Sequence, residues 1–406
     1  MADPVLRVDV AVIGGGPVGG LLASVLARAG VAVAVVEAAP PAALGRAGSD
    51  ARAIAVSYTS RKVIAGAGAW EAMAPEAGAI QEIRVTDSAS PLFLHYDHQE
   101  IGDHPLGWIV PNPTIRRSVL EQLTASPGAH LLAPARVERL ERLAGRVEIE
   151  LKDGRRIEAA LVVAADGRAS ATRESAGIAV TRRAYDESAI VCTMTHELPH
   201  RGIAHERFLP AGPFAILPLA GNRSGIVWTE PHERAAAICN QDDDAFRAEL
   251  AERVGGFLGP IGLEGARFHH PLSLHLAQSM IAPRLALVGD AAHGMHPIAG
   301  QGMNMGIRDV AALAEVIVDA RRLGLDPGAP QVLERYQRWR RFDTMLMLGL
   351  TDGLDRLFSN DIPPLRLARR LGLAAINQLP DVKRFFMRHA MGLAGELPRL
   401  LRGEKL

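Results

Sequence analysis

Three glycines and one carboxylate, spaced along a single short stretch, carry the first chemical signal. Gly14, Gly16 and Gly19 sit in Gly14-Gly15-Gly16-Pro17-Val18-Gly19, a G-x-G-x-x-G pattern directly after the apolar run Val8 to Ile13. Glu37 lies 23 residues beyond Gly14, close to the ~20-residue interval that separates the glycines from the acid in a dinucleotide-binding βαβ unit. Gly14 permits the tight turn, Gly16 lets backbone approach a pyrophosphate, and Gly19 brings helix and strand together. The unpaired amides and dipole of the following helix favour phosphate. Glu37 can accept hydrogen bonds from a ribose 2′-hydroxyl and would repel a 2′-phosphate, which points to FAD or NAD rather than NADP.

A second signal lies far downstream. The short apolar run Leu285 to Val288 opens onto Gly289-Asp290, and Gly300-Gln301-Gly302-Met303-Asn304 follows before a helix through Val310 to Arg322. A carboxylate at the end of a strand suits a chain of hydroxyls, and Gly300 and Gly302 let backbone lie against a planar ring. Amides at the helix start would favour negative charge on the ring edge.

The elements that must position these groups can be read from pattern. The first strand leads into a helix carrying Leu21, Leu22, Val25 and Leu26, stopped at Gly30, and a β-branched strand runs Val31 to Val36. The Pro/Ala/Gly-rich segment 38–50 reads as a loop. Asp50 to Val56 precedes a helix over Ser57 to Gly66, and Arg52 there suits either a phosphate or an ion pair with Asp50. Strand-like alternation covers Ile80 to Leu94, and a further strand Gly107 to Val110. Asn112-Pro113-Thr114 reads as the cap of a helix over Ile115 to Ala125 carrying Arg116 and Arg117. Val137 to Ala165 forms a meander ending on Asp166-Gly167, which on its own reads as an ordinary Asp-Gly turn. Ala189 to Thr195, Phe214 to Leu219 and Gly225 to Glu230 are short strands of a mostly antiparallel sheet, and Asp242 to Leu258 is an amphipathic helix. From Val332 to Leu406 the chain reads as helical.

Composition bounds the rest. The 406 residues allow two or three domains, and 45 basic residues balance 45 acidic ones, so nothing argues for a nucleic-acid partner. Cys192 and Cys239 stand apart from any C-x-x-C, which suits a reducing cytoplasm. No secretory signal is visible. Val10 to Ala27 is uncharged over 18 residues, but its glycines fit a soluble βαβ unit better than a membrane span. His293 and His296, with His269, His270 and His275 upstream, lack a metal-ligand spacing, so no metal is expected. Neither H-E-x-x-H nor G-x-S-x-G occurs. Pro363 to Leu406 holds nine Lys/Arg against three Asp/Glu. That suits either a basic amphipathic surface for an anionic membrane or a helical cover with a solvated basic face.

Taken together, the segment His296 to Asp309, with GGGPVG and Glu37, Asp50-Ala51-Arg52, the helix with Arg116, DGRASATR at Asp166 to Arg173 and Gly289-Asp290, resembles the ubiquinone-biosynthesis hydroxylases. These are para-hydroxybenzoate-hydroxylase-like (group A) FAD monooxygenases. The resemblance spans nearly the whole chain. It implies an α/β fold: a Rossmann-like FAD-binding domain (1–79, 111–183 and 276–330), an inserted, mostly antiparallel substrate domain (80–110 and 184–275) and C-terminal helices (331–406). It implies that Gly14, Gly16, Gly19 and Glu37 hold the ADP half of FAD and that Asp290, after Gly289, meets its ribityl or pyrophosphate region. Pro297 and Gly300 to Asn304, including Gln301, Gly302 and Met303, would border the isoalloxazine. Arg52, Asn112, Arg116 and Asp166 would be further contacts. Ala169 departs from the Asn often found in the family.

The implied reaction is reduction of FAD by NAD(P)H, O2 addition at flavin C4a to a hydroperoxide, and oxygen transfer to a polyprenylated phenol. No residue is assigned as the phenol base. Two alternatives stand beside it: a hydroxylase of a small soluble aromatic, and a flavin-bearing structural partner among other ubiquinone-biosynthesis enzymes. The implied location is cytoplasmic, with docking at the inner face of the membrane as a further expectation.

Overall fold

The computed structural model describes residues 5–44, 50–87, 93–295, 300–358 and 379–406. Its architecture is α/β. The central sheet runs Ile281–Ala282, Leu285–Leu287, Arg156–Ala164, Leu6–Ile13, Val33–Val36, Ala129–Leu132, with the strands Val147–Leu151 and Val137–Arg142 as a side branch from Arg156–Ala164. Five of these strands run parallel, from Leu285–Leu287 across to Ala129–Leu132. Val10 to Ala11, Val33 to Val35, Leu161 to Ala164 and Leu285 to Leu287 are fully buried. Such unbroken apolar runs are what parallel strands need when both faces are covered.

Helix Pro17–Arg28 starts with Pro at its first turn and packs against helices Asn112–Ala125 and Gly302–Arg322. It ends at Ala29, and Gly30 takes φ +81° just past the end. The strand after it begins at Val33, two residues later than the β-branched run suggested.

A second sheet is ordered His293–Gly294, Ile261–Ala277, Val180–His196, Arg223–Pro231, Gly212–Pro218, Ile203–Leu209, Glu82–Asp87, Phe93–Asp97. Its pairings are antiparallel except where Ile203–Leu209 meets Glu82–Asp87. Period-two alternation decides its two faces. Ile190, Cys192 and Met194 point one way into a core with Phe214, Trp228, Phe246 and Leu250, closed by helices His232–Cys239 and Asp243–Val254. Asp242 caps the latter by accepting from Ala245 N at 2.8 Å. Ala189 and Val191 point the other way, toward an open cavity.

The short strands expected between Ala184 and Glu230 are longer in the molecule. Two strands of 17 residues, Val180–His196 and Ile261–Ala277, run side by side, and the second had no strand reading at all. Gly262, Gly265 and Pro271 disguise it. Pro271 sits opposite Ser188, where the register shifts and no ladder hydrogen bond is needed.

A third small sheet joins Ala53–Ser57, Gly107–Pro111 and Gly78–Ile80. The expected helix after Val56 runs Tyr58–Ala67, with Ser57 as its cap accepting from Ser60 N. C-terminal helices are Pro330–Phe358, Pro380–Ala390 and Arg399–Arg402, and residues 391–398 between the last two are not helical. No helix among the described residues is long and apolar enough to cross a membrane.

Candidate active site

The register of the parallel strands gathers the sequence signals. Ile13 is opposite both Val36 and Ala164, and Ala164 is opposite Leu287. Gly14, Glu37, Asp166, Gly289 and Asp290 therefore emerge together at the carboxyl ends of adjacent strands, where open α/β sheets bind ligands. A cavity of about 1190 Å³ opens there.

The glycines show why no side chain is tolerated. Gly14 takes φ +104°, and a Cβ on it would come within 2.3 Å of the Ala165 carbonyl oxygen. On Gly19 a Cβ would lie 2.0 Å from the Gly14 oxygen, so helix and strand pack at backbone distance. Gly16 is the opposite case: a Cβ there would meet nothing within 4 Å, because it faces the cavity. Glu37 is oriented by two amides, accepting from Gly15 N at 2.8 Å and Ala39 N at 2.7 Å. Each carboxylate oxygen keeps acceptor capacity for a ligand hydroxyl.

Arg116 lines the same cavity from helix Asn112–Ala125. Its Nε is buried with no partner, and no hydrogen bond or ion pair engages its guanidinium among the described residues. An unpaired, half-buried cation beside a glycine-rich turn fits a diphosphate.

Arg52 takes the ion-pair alternative. Its Nε donates to both Asp50 oxygens (2.9 and 3.0 Å) and its Nη2 to Oδ2 at 2.5 Å. The Asn112 amide adds a donor to Asp50 at 2.6 Å. Burial opposes charge on Asp50, but these donors outweigh it and hold the carboxyl down at about 2. Asn112 therefore does not cap its helix, which begins after Pro111 with no side-chain cap. Arg52 and Asn112 both line the cavity.

Asp166 spends its carboxylate on the local turn, accepting from the Ser170 hydroxyl and from Thr172 N and Oγ1. It reaches the cavity alongside Gly167. Asp290 is half-exposed there. Arg168 Nε approaches its Oδ2 at 3.3 Å, and His275 Nε2 donates to its carbonyl at 2.8 Å. Arg168 was not singled out by sequence; its signal was its place in the Asp166-Gly167 turn.

Behind Gly289 lies a buried charge network. Asp309 accepts from Gly289 N (2.9 Å), His293 Nε2 (2.7 Å) and Arg340 Nε (2.7 Å). Arg340 continues to Asp343, which also takes Arg308. Burial resists charge on Asp309, yet the His293 and Arg340 partners keep its carboxyl below the usual range. His293 is thus a hydrogen-bond donor that fixes the Gly289 turn.

Gly300, Gly302 and Met303 line the cavity. Gln301 and Asn304 are buried away from it. Asn304 accepts from Ser57 N at 2.9 Å and donates to Ala55 O at 3.0 Å, tying the Gly302–Arg322 helix to the Ala53–Ser57 strand. Pro297 and His296 lie outside the described residues, as does the part of the basic C-terminal segment up to residue 378.

Beyond the glycine-rich turns the cavity extends over the second sheet. Ile83, Ala189, Val191, Ala215, Leu217 and Val227 make an apolar wall, broken by Glu206 and Thr229. This wall is wide enough, and apolar enough, for a greasy aromatic guest.

A family described as FAD binding domain matches residues 7–344. Ubiquinone hydroxylase UbiL of Rhodospirillum rubrum is 51% identical over 401 residues, covering 98% of this chain and 93% of that protein. The chain belongs to the ubiquinone-biosynthesis FAD hydroxylase family. Another member, 3-demethoxyubiquinol 3-hydroxylase of Escherichia coli, is 36% identical over 389 residues, 95% of this chain and 98% of that one. Among solved structures, p-nitrophenol 4-monooxygenase PnpA of Pseudomonas putida superposes with a TM-score of 0.79 at 20% identity, covering 97% of this chain and all of that one, and shares the fold. As a family member the chain is an FAD-dependent monooxygenase, and an NAD(P)H donor is typical of the family. The open face at Gly16, the oriented Glu37 and the unpaired Arg116 fit the nucleotide.

Proposed function

We propose that this enzyme inserts one oxygen atom from O2 into a polyprenylated phenol on the route to ubiquinone. The observation that carries the reading is the continuity of the cavity, from Gly16, Glu37 and Arg116 to the apolar wall of the second sheet. Identity to named ubiquinone hydroxylases over nearly the full chain supports the substrate class. Bound FAD, reduced by NAD(P)H, supplies the activation of O2. In this reading Gly14, Gly16, Gly19, Glu37 and Arg116 hold the ADP half. Arg52, Asn112, Asp166, Gly289 and Asp290 border the rest of the chain, and Gly300, Gly302 and Met303 lie against the ring. Gln301 and Asn304 act by holding that loop and its helix in place. The apolar wall orients the phenol and excludes water.

The membrane reading narrows to helix Pro380–Ala390. Leu379, Val382, Phe385 and Phe386 are exposed beside Arg384 and Arg388, while Met387 and Met391 pack with Ile80, Ile109 and Ala204 of the cavity wall. An exposed aromatic and basic face suits an anionic bilayer surface, from which a prenylated substrate would come.

The test is product formation by FAD-loaded protein given NAD(P)H, O2 and either a prenylated phenol or its short analogue. Hydroxylation of the prenylated compound with the higher kcat/KM supports the reading. No hydroxylated product despite bound flavin overturns it, and preference for the short phenol moves the substrate to a small soluble aromatic.

A further inference from the structure

Among the ionisable groups that line the cavity beside its apolar wall, with His270 opposite Ala189, Glu206 is one that nothing so far uses. Glu206 lies in the middle of strand Ile203–Leu209, opposite Val85 on one side and Ala215 on the other. Ala215 is opposite Val227, and Val227 opposite Val191. Directly paired residues share a face, so Glu206 stands in an apolar row across the cavity side of the sheet. No hydrogen bond or ion pair reaches its carboxyl among the described residues.

Two ionisable side chains share its face by register, the buried Asp87 opposite Phe208 and Tyr96 opposite Ile83, and the others point elsewhere. His205 and Arg207 project to the opposite face, where both rings and guanidinium meet Phe257. Glu82 and Arg84 on the adjoining strand are paired with each other and belong to that same far face. Gly212–Pro218 on the other side bears no charge. Burial acts on Glu206, and it pushes the carboxyl up to about 7. Leaving a carboxyl unpartnered against apolar surface is costly, and such groups cluster at functional sites.

Its position suits the reacting end of the cavity. Ala204, two residues along the same face and so about 7 Å away, shares an apolar cluster with Ala53 and Ala55. A Cβ on Gly300 would lie 2.9 Å from the Ala55 Cβ. Glu206 and the Gly300, Gly302 and Met303 loop thus line the same cavity.

We propose that Glu206 is the catalytic base that takes the proton of the substrate hydroxyl, an assignment that rests on the reading of the substrate as a phenol. The phenol O–H bond breaks, the proton goes to a Glu206 carboxylate oxygen, and the electron pair left on the ring oxygen raises electron density at the ortho and para carbons. Once a ring carbon has accepted the oxygen atom delivered by the FAD/O2 reaction as a hydroxyl, its hydrogen leaves as a proton to solvent water. The Glu206 carboxylic acid then returns its own proton to the ring oxygen. A base that titrates near neutrality is well matched to this exchange.

The experiment compares FAD-loaded wild type, Glu206→Gln and Glu206→Asp across pH. Wild type should show hydroxylation rising through about pH 7. Glu206→Gln should lose on the order of 100-fold or more in hydroxylation and lose that acid limb. It should keep its FAD content, visible flavin spectrum and NAD(P)H oxidation, and so release peroxide instead. Glu206→Asp should recover part of the rate with the limb restored. Hydroxylation by Glu206→Gln within threefold of wild type at every pH, or loss of flavin together with activity in both variants, overturns the assignment. Binding of 4-methylphenol, which stays protonated across this range, separates this from the substrate reading. Where wild type hydroxylates no prenylated phenol, a change of 4-methylphenol affinity through about pH 7 that disappears in Glu206→Gln still supports the base, and the same pH profile in both overturns it.

Discussion

Replacing Glu206 with Gln should make the protein more stable, and only above the acid range. The carboxyl's ordinary value is 4.5, and burial among Val85, Ala215 and Val227 raises it to about 7. Below 4.5 the side chain is neutral in folded and unfolded chain alike, so the full stability is present. As pH rises from there toward 7 the unfolded chain releases the proton first, and folded stability is progressively lost; above 7 the loss is constant. At about 1.36 kcal/mol per tenfold, the ceiling is about 3 kcal/mol, water in the cavity lowering it. An unfolding entropy of about 2.1 cal/mol/K per residue makes that a shift of about 4 °C for a chain of this length. Glutamine keeps the shape and removes the charge. Thermal unfolding of FAD-saturated wild type and variant should therefore show a gap growing from about 1 °C at pH 5 to about 4 °C at pH 8. A gap of equal size at both pH values, or a less stable variant at pH 8, would refute the reasoning. A gain in stability with a loss of hydroxylation is the pattern expected of a group kept for chemistry.

Other outcomes follow from the nucleotide end. Arg116→Ala should weaken FAD binding by roughly 10- to 100-fold, the range for a hydrogen bond to a charged group, while apoprotein Tm stays unchanged because Arg116 has no protein partner to lose; flavin-fluorescence titration measures the first and calorimetry the second. Gly19→Ala puts a Cβ against the Gly14 backbone, so purified protein should carry little flavin at any expression level, as absorbance ratios would report. Asp309→Asn leaves the buried Arg340 with Asp343 as its remaining carboxylate and should cost about 1.5–3 kcal/mol, read as a lowered denaturant midpoint, with flavin content falling as the Gly289 turn loosens.

The nucleotide half was open to reading from sequence because its signals are local. Gly14, Gly19 and Glu37 sit within one βαβ unit, and each residue type answers a constraint set by the next strand or helix. The substrate half resisted for the converse reason. Ile261–Ala277 contains Gly262, Gly265, His269, His270 and Pro271, which hide the alternation of a strand. The strand exists because Val180–His196 supplies a partner along its whole length and a register shift absorbs the proline. Glu206 was invisible because half of its surroundings come from a strand distant in sequence, Glu82–Asp87, paired on the other side from its hairpin partner Gly212–Pro218. Asn304 and Asp166 were found but their bonding was not: pattern gives a residue's neighbourhood, and only packing shows that Asn304 turns to Ala55 and Asp166 to Thr172. Arg52 was balanced between two partners on paper, and Asp50 together with Asn112 tips it toward the ion pair.

The pairing of Val180 with Ala277 has an engineering consequence. The chain departs from the nucleotide-binding half and comes back to it at adjacent points, the geometry under which whole insertions are exchanged without tearing their host. Residues 180–277 thus form a cassette that relatives could trade as one piece, and the edge pair Glu82–Asp87 and Phe93–Asp97, left behind in the recipient, would have to be matched to the incoming Ile203–Leu209 edge. Substrate choice in such a scaffold can diversify by transplant while the flavin cradle stays untouched.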